Sequence, residues 1–404
     1  MVRRRLFDDL LAHLSKKEYS ILTGARQTGK STLLKQLEAH CNATGISCVF
    51  INLENKAILN DLNDTPLNLL KYLPSSDNRV VAFIDEVQYL RDASNFLKHL
   101  YDDHADQLKI VATGSSAFYI DDHFRDSLAG RKKIFQLYTC SFSEYLELSG
   151  KADLVKEKER IVLNKEAKST KIDYLRNEWE EYMTYGGYPA VVTENNINDK
   201  IDRLKEIRDS FVKRDMLESR VENEEAFYNL FRILAGQTGD LVNINELSNT
   251  LRIRSETVES YLTIMRKCFH ITLIRPFFKN LRKELVKMPK VFVMDMGLRN
   301  CLLNNFQPVN LRQDKGDLWE NLYFRILTDK YGVDAIRFWR TADKHEVDFV
   351  IQDVETPIAI EVKFDEKAIK PNKYKIFQEA YPEIPLYFAW MSPFNEDFFR
   401  RLKG

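Results

Sequence analysis

One octapeptide constrains this 404-residue chain more than any other feature. Residues 24–31 have the pattern G-x-x-x-x-G-K-[ST] and lie between an apolar run at 19–22 and a helical pattern at 31–39. In such a loop the glycines let backbone N–H groups face phosphate oxygens, the lysine reaches the β and γ phosphates, and the hydroxyl binds Mg²⁺. The pattern therefore predicts a loop that binds a nucleoside triphosphate and Mg²⁺. The residues predicted to bind the cofactor here are Gly24, Ala25, Arg26, Gln27, Thr28, Gly29, Lys30, Ser31 and Thr32, with Ser31 also a metal ligand.

The charge, the cysteine content and the distribution of apolar residues limit which classes of protein this chain can belong to. The chain has 60 basic and 60 acidic residues, so any binding of nucleic acid has to come from a local basic surface. The five cysteines are scattered without C-x-x-C spacing, which argues against a disulfide framework and a zinc site. No stretch approaches 18 uncharged apolar residues, and the N-terminus lacks the apolar core of a signal peptide. We therefore expect a cytoplasmic protein without a membrane segment.

A second motif follows at the distance that a phosphate-binding loop requires. Residues 80–84 form an apolar run that reads as a buried strand, and Asp85 and Glu86 come directly after it. Asp85 is predicted to hold Mg²⁺, directly or through water, and Glu86 to polarise the attacking water. No N-K-x-D guanine signature is present, so the predicted nucleotide is ATP.

Three further residues are candidates for this site. Another strand-like run, 109–113, leads to Ser115, whose hydroxyl is predicted to lie between Glu86 and the γ-phosphate; a helix N-cap is the alternative. Arg131 follows, and it is predicted to act as an arginine finger in a neighbouring subunit, with Arg125 as a competing candidate. A finger used in this way requires a homo-oligomer.

These motifs resemble those of the bacterial and archaeal AAA+ ATPases in which an AAA_14-type P-loop domain precedes a DUF4143 region. The resemblance includes the loop and Asp85-Glu86, and extends to further motifs. These are Thr113–Ser116, Leu128–Arg131, Gly186–Pro189, Lys287–Val291 and Asp295–Leu298. It implies an oligomeric ATPase, with a hexameric ring as one arrangement.

The middle of the chain fits a helix-turn-helix followed by a basic wing. Residues 242–251 and 255–268 read as two helices, with Val258, Leu262 and Met265 toward the core. The polar positions, Tyr261 among them, are predicted to face outward. A basic stretch is predicted to form the wing, and it could contact phosphates or serve a protein-docking module. It consists of Lys279, Arg282, Lys283, Lys287 and Lys290.

Near the C-terminus the residues fit a PD-(D/E)XK pattern. Asp348 lies in a predicted strand (346–351), and Glu361 and Lys363 share one face of the next strand because side chains alternate. Glu320 lies on the preceding helix. Asp348 and Glu361 are predicted to bind Mg²⁺, while Lys363 orients water or stabilises the phosphate. Residues 339–341 lead into the same hairpin and are predicted to approach the substrate, whereas an exposed E-x-K pair is the alternative.

The sequence thus predicts an α/β protein of four parts. We expect a Mg²⁺-dependent ATPase that acts on nucleic acid, in particular branched DNA, with cleavage left open. One alternative is an ATP-driven switch that remodels protein partners and uses the nuclease-like region for docking. Another is a nuclease gated by ATP, in which the P-loop domain acts as a clamp and not as a motor. The predicted parts are a P-loop domain with a parallel sheet (1–145), a helical lid or linker (146–235), a winged helix (236–306) and a restriction-endonuclease-like domain (307–404).

Overall fold

The computed structural model describes residues 2–114, 128–278, 288–352 and 354–403, which form two compact units. The first comprises Met1–Thr139 with Lys267–Phe269, and the second comprises Cys140–Arg266 with His270–Gly404. Each has its own sheet and helices, so the predicted α/β class is confirmed. The boundaries predicted within residues 140–404 stay predictions.

The first unit is built on a five-stranded parallel sheet with the order β2-β3-β4-β1-β5. The central strands are apolar along their length because helices cover both faces of a parallel sheet. The strands are β1 (Tyr19–Thr23), β2 (Cys48–Asn52), β3 (Val80–Asp85), β4 (Leu108–Gly114) and β5 (Lys132–Gln136). The helices are α1 (Leu6–His13), α2 (Lys30–Ala43), α3 (Lys56–Asp64) and α4 (Ala93–His104).

Alternation along these strands produces two cores, one on each face of the sheet. Ile21 and Ile84 belong to one core, whereas their neighbours Leu22 and Phe83 belong to the other. Because β1, β3 and β4 are parallel, their carboxyl ends lie at one edge of the sheet. That edge carries the predicted nucleotide-binding residues.

The second unit consists of helices that surround a six-stranded mixed sheet with the order β11-β10-β9-β8-β6-β7. The strands are β6 (Ile271–Pro276), β7 (Lys290–Val293), β8 (Ile336–Arg340), β9 (Glu346–Ile351), β10 (Ile358–Asp365) and β11 (Leu386–Ser392). The helices are α5 (Phe142–Leu148), α6 (Ala152–Leu163), α7 (Ile172–Tyr185), α8 (Pro189–Val192), α9 (Ile197–Glu218), α10 (Glu224–Gly236), α11 (Ile244–Leu251), α12 (Ser255–Lys267), α13 (Met296–Leu303), α14 (Lys315–Tyr331), α15 (Lys375–Ala380) and α16 (Glu396–Lys403).

The strands of the predicted wing belong to the same sheet as those of the predicted nuclease-like region. β6 pairs antiparallel with β7 and parallel with β8, through Arg275 and Pro276. β7 therefore lies at one edge of a sheet whose other strands carry the predicted catalytic carboxylates. This continuity brings residues far apart in sequence into one cluster.

Two helices, α11 and α12, lie where the helix-turn-helix is predicted, and one expectation about their polar residues is wrong. Val258, Leu262 and Met265 are buried as predicted. Tyr261 is buried as well, because its ring packs edge-on against Phe227, with 5.2 Å between ring centroids.

The expectation that Lys290 belongs to an exposed basic wing is also wrong. Only 1% of the residue is exposed, so it is not part of a basic wing surface. The other predicted wing residues lie outside the described residues: Lys279, Arg282, Lys283 and Lys287.

Two short motifs of the second unit pack directly on each other. The Asp295 carboxylate accepts hydrogen bonds from the backbone of Gly187 (2.9 Å) and of Leu298 (3.0 Å), so it caps α13 and fixes the 186–189 turn. A Cβ on Gly297 would lie 2.0 Å from the Tyr185 carbonyl oxygen. These glycines therefore serve close backbone packing.

None of the helices in the described residues combines the length and apolar composition needed to cross a bilayer.

Candidate functional site

The loop between β1 and α2 has backbone conformations that favour glycine at two positions, Gly24 and Gly29. Gly24 has φ +150°, and a Cβ there would lie 2.1 Å from the carbonyl oxygen of Leu137. Gly29 has φ +94° and is the N-cap residue of α2, which turns the helix N-terminus toward the loop. Gln27 also has a positive φ of 56°. The loop thus has a backbone geometry that suits an anion at a helix N-terminus.

Lys30 lies across this loop. Its ammonium donates to the carbonyl oxygens of Gly24 (2.9 Å) and Ala25 (2.8 Å), and the residue is 6% exposed. Thr28 stabilises the same turn, because its hydroxyl donates to the Ala25 carbonyl at 2.9 Å. A buried cation within a glycine-containing loop at a helix N-terminus suits a phosphate ligand. The remaining predicted contacts, Arg26, Ser31 and Thr32, lie in or directly after the loop and are at least partly exposed.

The two acidic residues predicted beside the loop lie at the carboxyl end of β3. Since β4 lies between β3 and β1, Asp85 and the loop are two strands apart on the same edge. Asp85 is 5% exposed and accepts a 2.5 Å hydrogen bond from the Thr113 hydroxyl. The Glu86 amide donates to the same hydroxyl at 3.0 Å. Thr113 thus joins both acidic residues to β4.

Glu86 is held in a defined position by its backbone and by one neighbour. It has φ +62° and ψ +48°, a left-handed conformation that is costly for a residue with a Cβ. Its carboxylate accepts a hydrogen bond from the Gln88 side-chain amide. The carboxylate is therefore restrained and partly buried at the edge that a nucleotide would occupy.

Sequence reasoning missed Arg4, which stabilises the loop from outside the motif. Its guanidinium donates to the carbonyl oxygens of Thr28 (2.5 Å) and Tyr138 (2.7 Å). The pattern gave no signal for this contact, because Arg4 precedes the loop by 20 residues in a short basic segment that reads as a solvated terminus.

Arg131 lies at the opposite end of the sheet from the loop. It immediately precedes β5, and Lys132 at the start of that strand is in register with Tyr19 at the start of β1. Its guanidinium forms an ion pair with Asp102, with 2.6 Å between Nε and Oδ1. Arg131 therefore cannot reach the loop of its own subunit, and the arginine-finger role stays a prediction. Ser115 and Arg125 lie outside the described residues.

The predicted carboxylates near the C-terminus come together on the sheet of the second unit. Asp348 on β9 accepts the Val362 amide of β10 at 2.8 Å, which places it beside Glu361. Lys363 forms ion pairs with Glu361 and with Asp348, the latter at 3.6 Å. The expectation that Glu361 and Lys363 share a face is confirmed.

Glu361 is the least accessible of these carboxylates, at 2% exposure. Burial, followed by the charge of Asp348, raises its pKa to about 7, against the opposing effects of Lys363 and the Tyr374 hydroxyl. Tyr374 donates to Oε1 at 2.6 Å, while Oε2 is buried and has no hydrogen-bond partner among the described residues. An orphaned carboxylate oxygen beside Asp348 fits a divalent cation, so the residues suit the Mg²⁺ site predicted for this region.

Glu320, on α14, belongs to the same acidic cluster as Asp348 and Glu361, and its carboxylate contacts Lys290. Lys290 Nζ lies 3.3 Å from Glu320 Oε1 and 2.5 Å from Glu346 Oε1. Burial alone would lower the pKa of Lys290, but Glu320, Asp348 and Glu346 outweigh it and raise the pKa well above its usual range. Burial, together with the charges of Asp348 and Glu346, raises the pKa of Glu320 to about 8. Sequence reasoning placed Lys290 on the wing and did not consider Glu346.

The expectation that residues 339–341 approach a substrate is wrong for Trp339. The residue is 5% exposed, and its ring packs against the rings of Phe377 and Tyr381 in the core. Arg340 points to the cluster, where Nη1 pairs with Glu346 at 2.5 Å.

Comparison with known proteins confirms the resemblance. Residues 16–146 match the family described as AAA domain, and residues 315–391 match a domain of unknown function, DUF4143. Between them, residues 176–309 match another domain of unknown function, DUF8612, which sequence reasoning did not identify.

Relatives and solved structures resemble the chain at low identity. The uncharacterized protein MJ1544 of Methanocaldococcus jannaschii is 26% identical over 94% of this chain and 82% of its own length. The uncharacterized protein Rv2008c of Mycobacterium tuberculosis is 25% identical over 85% of this chain and 69% of its own. The crystal structure of Cdc6p from Pyrobaculum aerophilum covers 75% of this chain and 95% of its own, with 12% identity and a TM-score of 0.31. A similarity of that size supports no functional assignment.

Proposed function

Because the chain carries an AAA domain followed by a DUF4143 domain, we propose that it is a Mg²⁺-dependent AAA+ ATPase that couples ATP hydrolysis to the remodelling or processing of DNA. The observation that carries the proposal is the edge of the first sheet. The phosphate-binding loop and Asp85 flank β4 there, and the Thr113 hydroxyl bonds to both Asp85 and the Glu86 amide.

Each residue at this edge has a role that its position permits. The loop amides and Lys30 bind the β and γ phosphates, with Lys30 exchanging the Gly24 and Ala25 carbonyls for phosphate oxygens. Ser31 and Asp85 would hold Mg²⁺, which supplies charge neutralisation in the transition state. Glu86 orients the attacking water and accepts its proton as the bond to the γ-phosphorus forms and ADP leaves.

A homo-oligomer, with a hexameric ring as one arrangement, follows if Arg131 completes a neighbouring site. Because Arg131 lies at the far end of the sheet from the loop of its own subunit, a finger role is open to it only in trans. Mixing Lys30→Ala subunits with Arg131→Ala subunits tests it, since the mixture contains sites with an intact loop and an intact arginine from different chains. We expect partial rescue of hydrolysis. No rescue from two folded, assembling variants would contradict a shared site.

Contact with DNA is assigned to the helix-turn-helix and the cluster on the second sheet. Arg252 and Arg254 are exposed at the turn that precedes α12, where such modules approach the duplex. Asp348 and Glu361 would hold Mg²⁺, which would polarise a phosphodiester, and Lys363 is placed to stabilise the phosphate charge. Branched DNA is the proposed form.

One observation favours an ATP-driven switch that acts on protein partners instead. The exposed face of α12 carries Glu256 and Glu259, whose charges would repel the phosphate backbone. In that case the nuclease-like region would be a docking surface.

The steady-state ATPase rate with duplex, single-stranded and four-way-junction DNA distinguishes a DNA-processing ATPase from a switch that acts on proteins. Glu86→Gln serves as the blank, and DNA integrity is followed in the same samples, with Asp348→Asn as the control for any cleavage. We expect at least one DNA form to raise the rate, with the junction most effective. A rate indifferent to every form, without binding by anisotropy, would overturn the DNA proposal in favour of the switch.

A further inference from the structure

The acidic cluster of the second unit contains a cation of its own. The Lys290 ammonium, on a side chain that is 2% exposed, contacts Glu346 at 2.5 Å and Glu320 at 3.3 Å. A buried lysine among carboxylates occupies space and supplies charge that a metal ion would otherwise provide.

Three of the four carboxylate oxygens of Glu320 and Glu346 are already paired with cations. Glu346 binds Lys290 through Oε1 and Arg340 through Oε2, at 2.5 Å each. Glu320 packs closely on Gly239, where a Cβ would lie 3.2 Å from Oε1. A metal ion could enter here only by displacing Lys290.

The other side of the cluster differs. Glu361 Oε2 is buried without a hydrogen-bond partner among the described residues, and Glu361 lies beside Asp348. The Asp348–Glu361 pair therefore offers a buried oxygen without a partner, whereas both Glu346 oxygens and Glu320 Oε1 are already paired with cations.

Charge balance leads to the same conclusion. The cluster has four carboxylates, on Glu320, Glu346, Asp348 and Glu361, and three cations, on Lys290, Arg340 and Lys363. With every group ionised, a second divalent ion would enter a parent cluster that already has one excess positive charge, whereas without the Lys290 charge it would enter a neutral cluster. The second ion would be strongly disfavoured in a site of this burial.

We propose that Lys290 is a built-in replacement for a second metal ion, so that this cluster binds a single divalent cation, held by Asp348 and Glu361. The inference rests on the proposed role of the cluster as a metal site. Two ions stabilise both the attacking and the leaving oxygen in two-metal sites. With one ion, the other charge on a bound phosphate is met by Lys363.

The test is the stoichiometry of Mn²⁺ binding to the nucleotide-free full chain, read from the signal of free Mn²⁺ by electron paramagnetic resonance. Lys30→Ala is the common background, and Asp348→Asn in that background identifies ions bound at the cluster. We expect the cluster to hold one Mn²⁺ in the parent, one in Lys290→Arg and two in Lys290→Met.

The possible outcomes distinguish a failure of the role proposed for Lys290 from a failure of the metal site itself. Two ions in the parent, or one in a folded Lys290→Met, would overturn the role of Lys290. No ion in the parent would overturn the metal site itself and with it the proposed phosphate chemistry of this region. If Lys290→Met does not fold, the parent's count still decides. ATP hydrolysis by the first unit, measured on separate samples in which Lys30 is intact, is independent of these counts.

Discussion

The Thr113 hydroxyl lies between Asp85 and Glu86, donating to Asp85 Oδ1 at 2.5 Å and accepting the Glu86 amide at 3.0 Å. Thr113 is fully buried, and β4 places it between the strand of the phosphate-binding loop and the strand of the acidic residues. One hydroxyl thus sets the position of a predicted metal ligand and of the predicted general base.

Thr113→Val keeps the shape of this side chain and removes the hydroxyl. We expect kcat for ATP hydrolysis to fall about 10- to 100-fold, because small displacements of positioned groups cost rates of this order. The dissociation constant of a non-hydrolysable ATP analogue should change little. Thr113→Ser is the matched control and should retain most activity, whereas a Val variant as fast as the parent would contradict the positioning role.

Gly297→Ala tests whether the 186–189 and 295–298 motifs hold the second unit together. The added Cβ would lie 2.0 Å from the Tyr185 carbonyl oxygen. We therefore expect the free energy of unfolding to fall by about 1–3 kcal/mol or more. Gly316→Ala is the control, since a Cβ there would meet no described atom within 4 Å. It should leave stability unchanged or increase it by up to about 1 kcal/mol.

Tryptophan fluorescence during urea unfolding is the measurement for this pair. All four tryptophans, at positions 179, 319, 339 and 390, belong to the second unit. The signal therefore reports on the unit that contains both glycines. Equal midpoints for the two variants would show that the motif packing is dispensable.

His13 should make the first unit sensitive to acid. Its Nδ1 lies 2.8 Å from the Ser20 hydroxyl and 3.2 Å from the Lys109 ammonium. Burial, followed by the charges of Lys109 and Lys133, lowers the His13 pKa from 6.5 to about 4.

Between these two values the unfolded chain binds more protons than the folded one, so acid favours unfolding. The contribution is fully present above pH 6.5 and is lost as the pH falls to about 4, to a total of about 3 kcal/mol. His13→Asn should flatten this part of the stability profile, measured by urea unfolding and circular dichroism from pH 7.5 to 4.5. An unchanged slope would show that other groups dominate.

The local sequence pattern predicted the strands, helices and the phosphate-binding loop well, because each of them depends on contiguous residues. The loop, the strand before Asp85 and the face shared by Glu361 and Lys363 all follow from spacing within a few positions. The neighbours of these residues were harder to predict. Thr113 acquires its role from the strand order, and Tyr261 is buried by Phe227 on a helix more than 30 residues earlier.

Lys290 shows the same limit most clearly. A basic stretch predicts exposure, and Lys290 closes such a stretch in the sequence. In the fold it begins β7, which lies on the sheet that also carries Glu346 and Asp348. Only the pairing of β6 with both β7 and β8 brings the lysine to the carboxylates, and no local pattern encodes that pairing.

The most direct test of the central claim is the rate of phosphate release from Mg²⁺-ATP, measured together with ATP binding for the parent chain, Glu86→Gln and Lys30→Ala. We predict that the parent hydrolyses ATP, that Glu86→Gln binds ATP as tightly but hydrolyses it at least about 100-fold more slowly, and that Lys30→Ala binds weakly. A Glu86→Gln variant as active as the parent, or a parent chain that does not bind ATP, would contradict the assignment of this edge as an ATPase site.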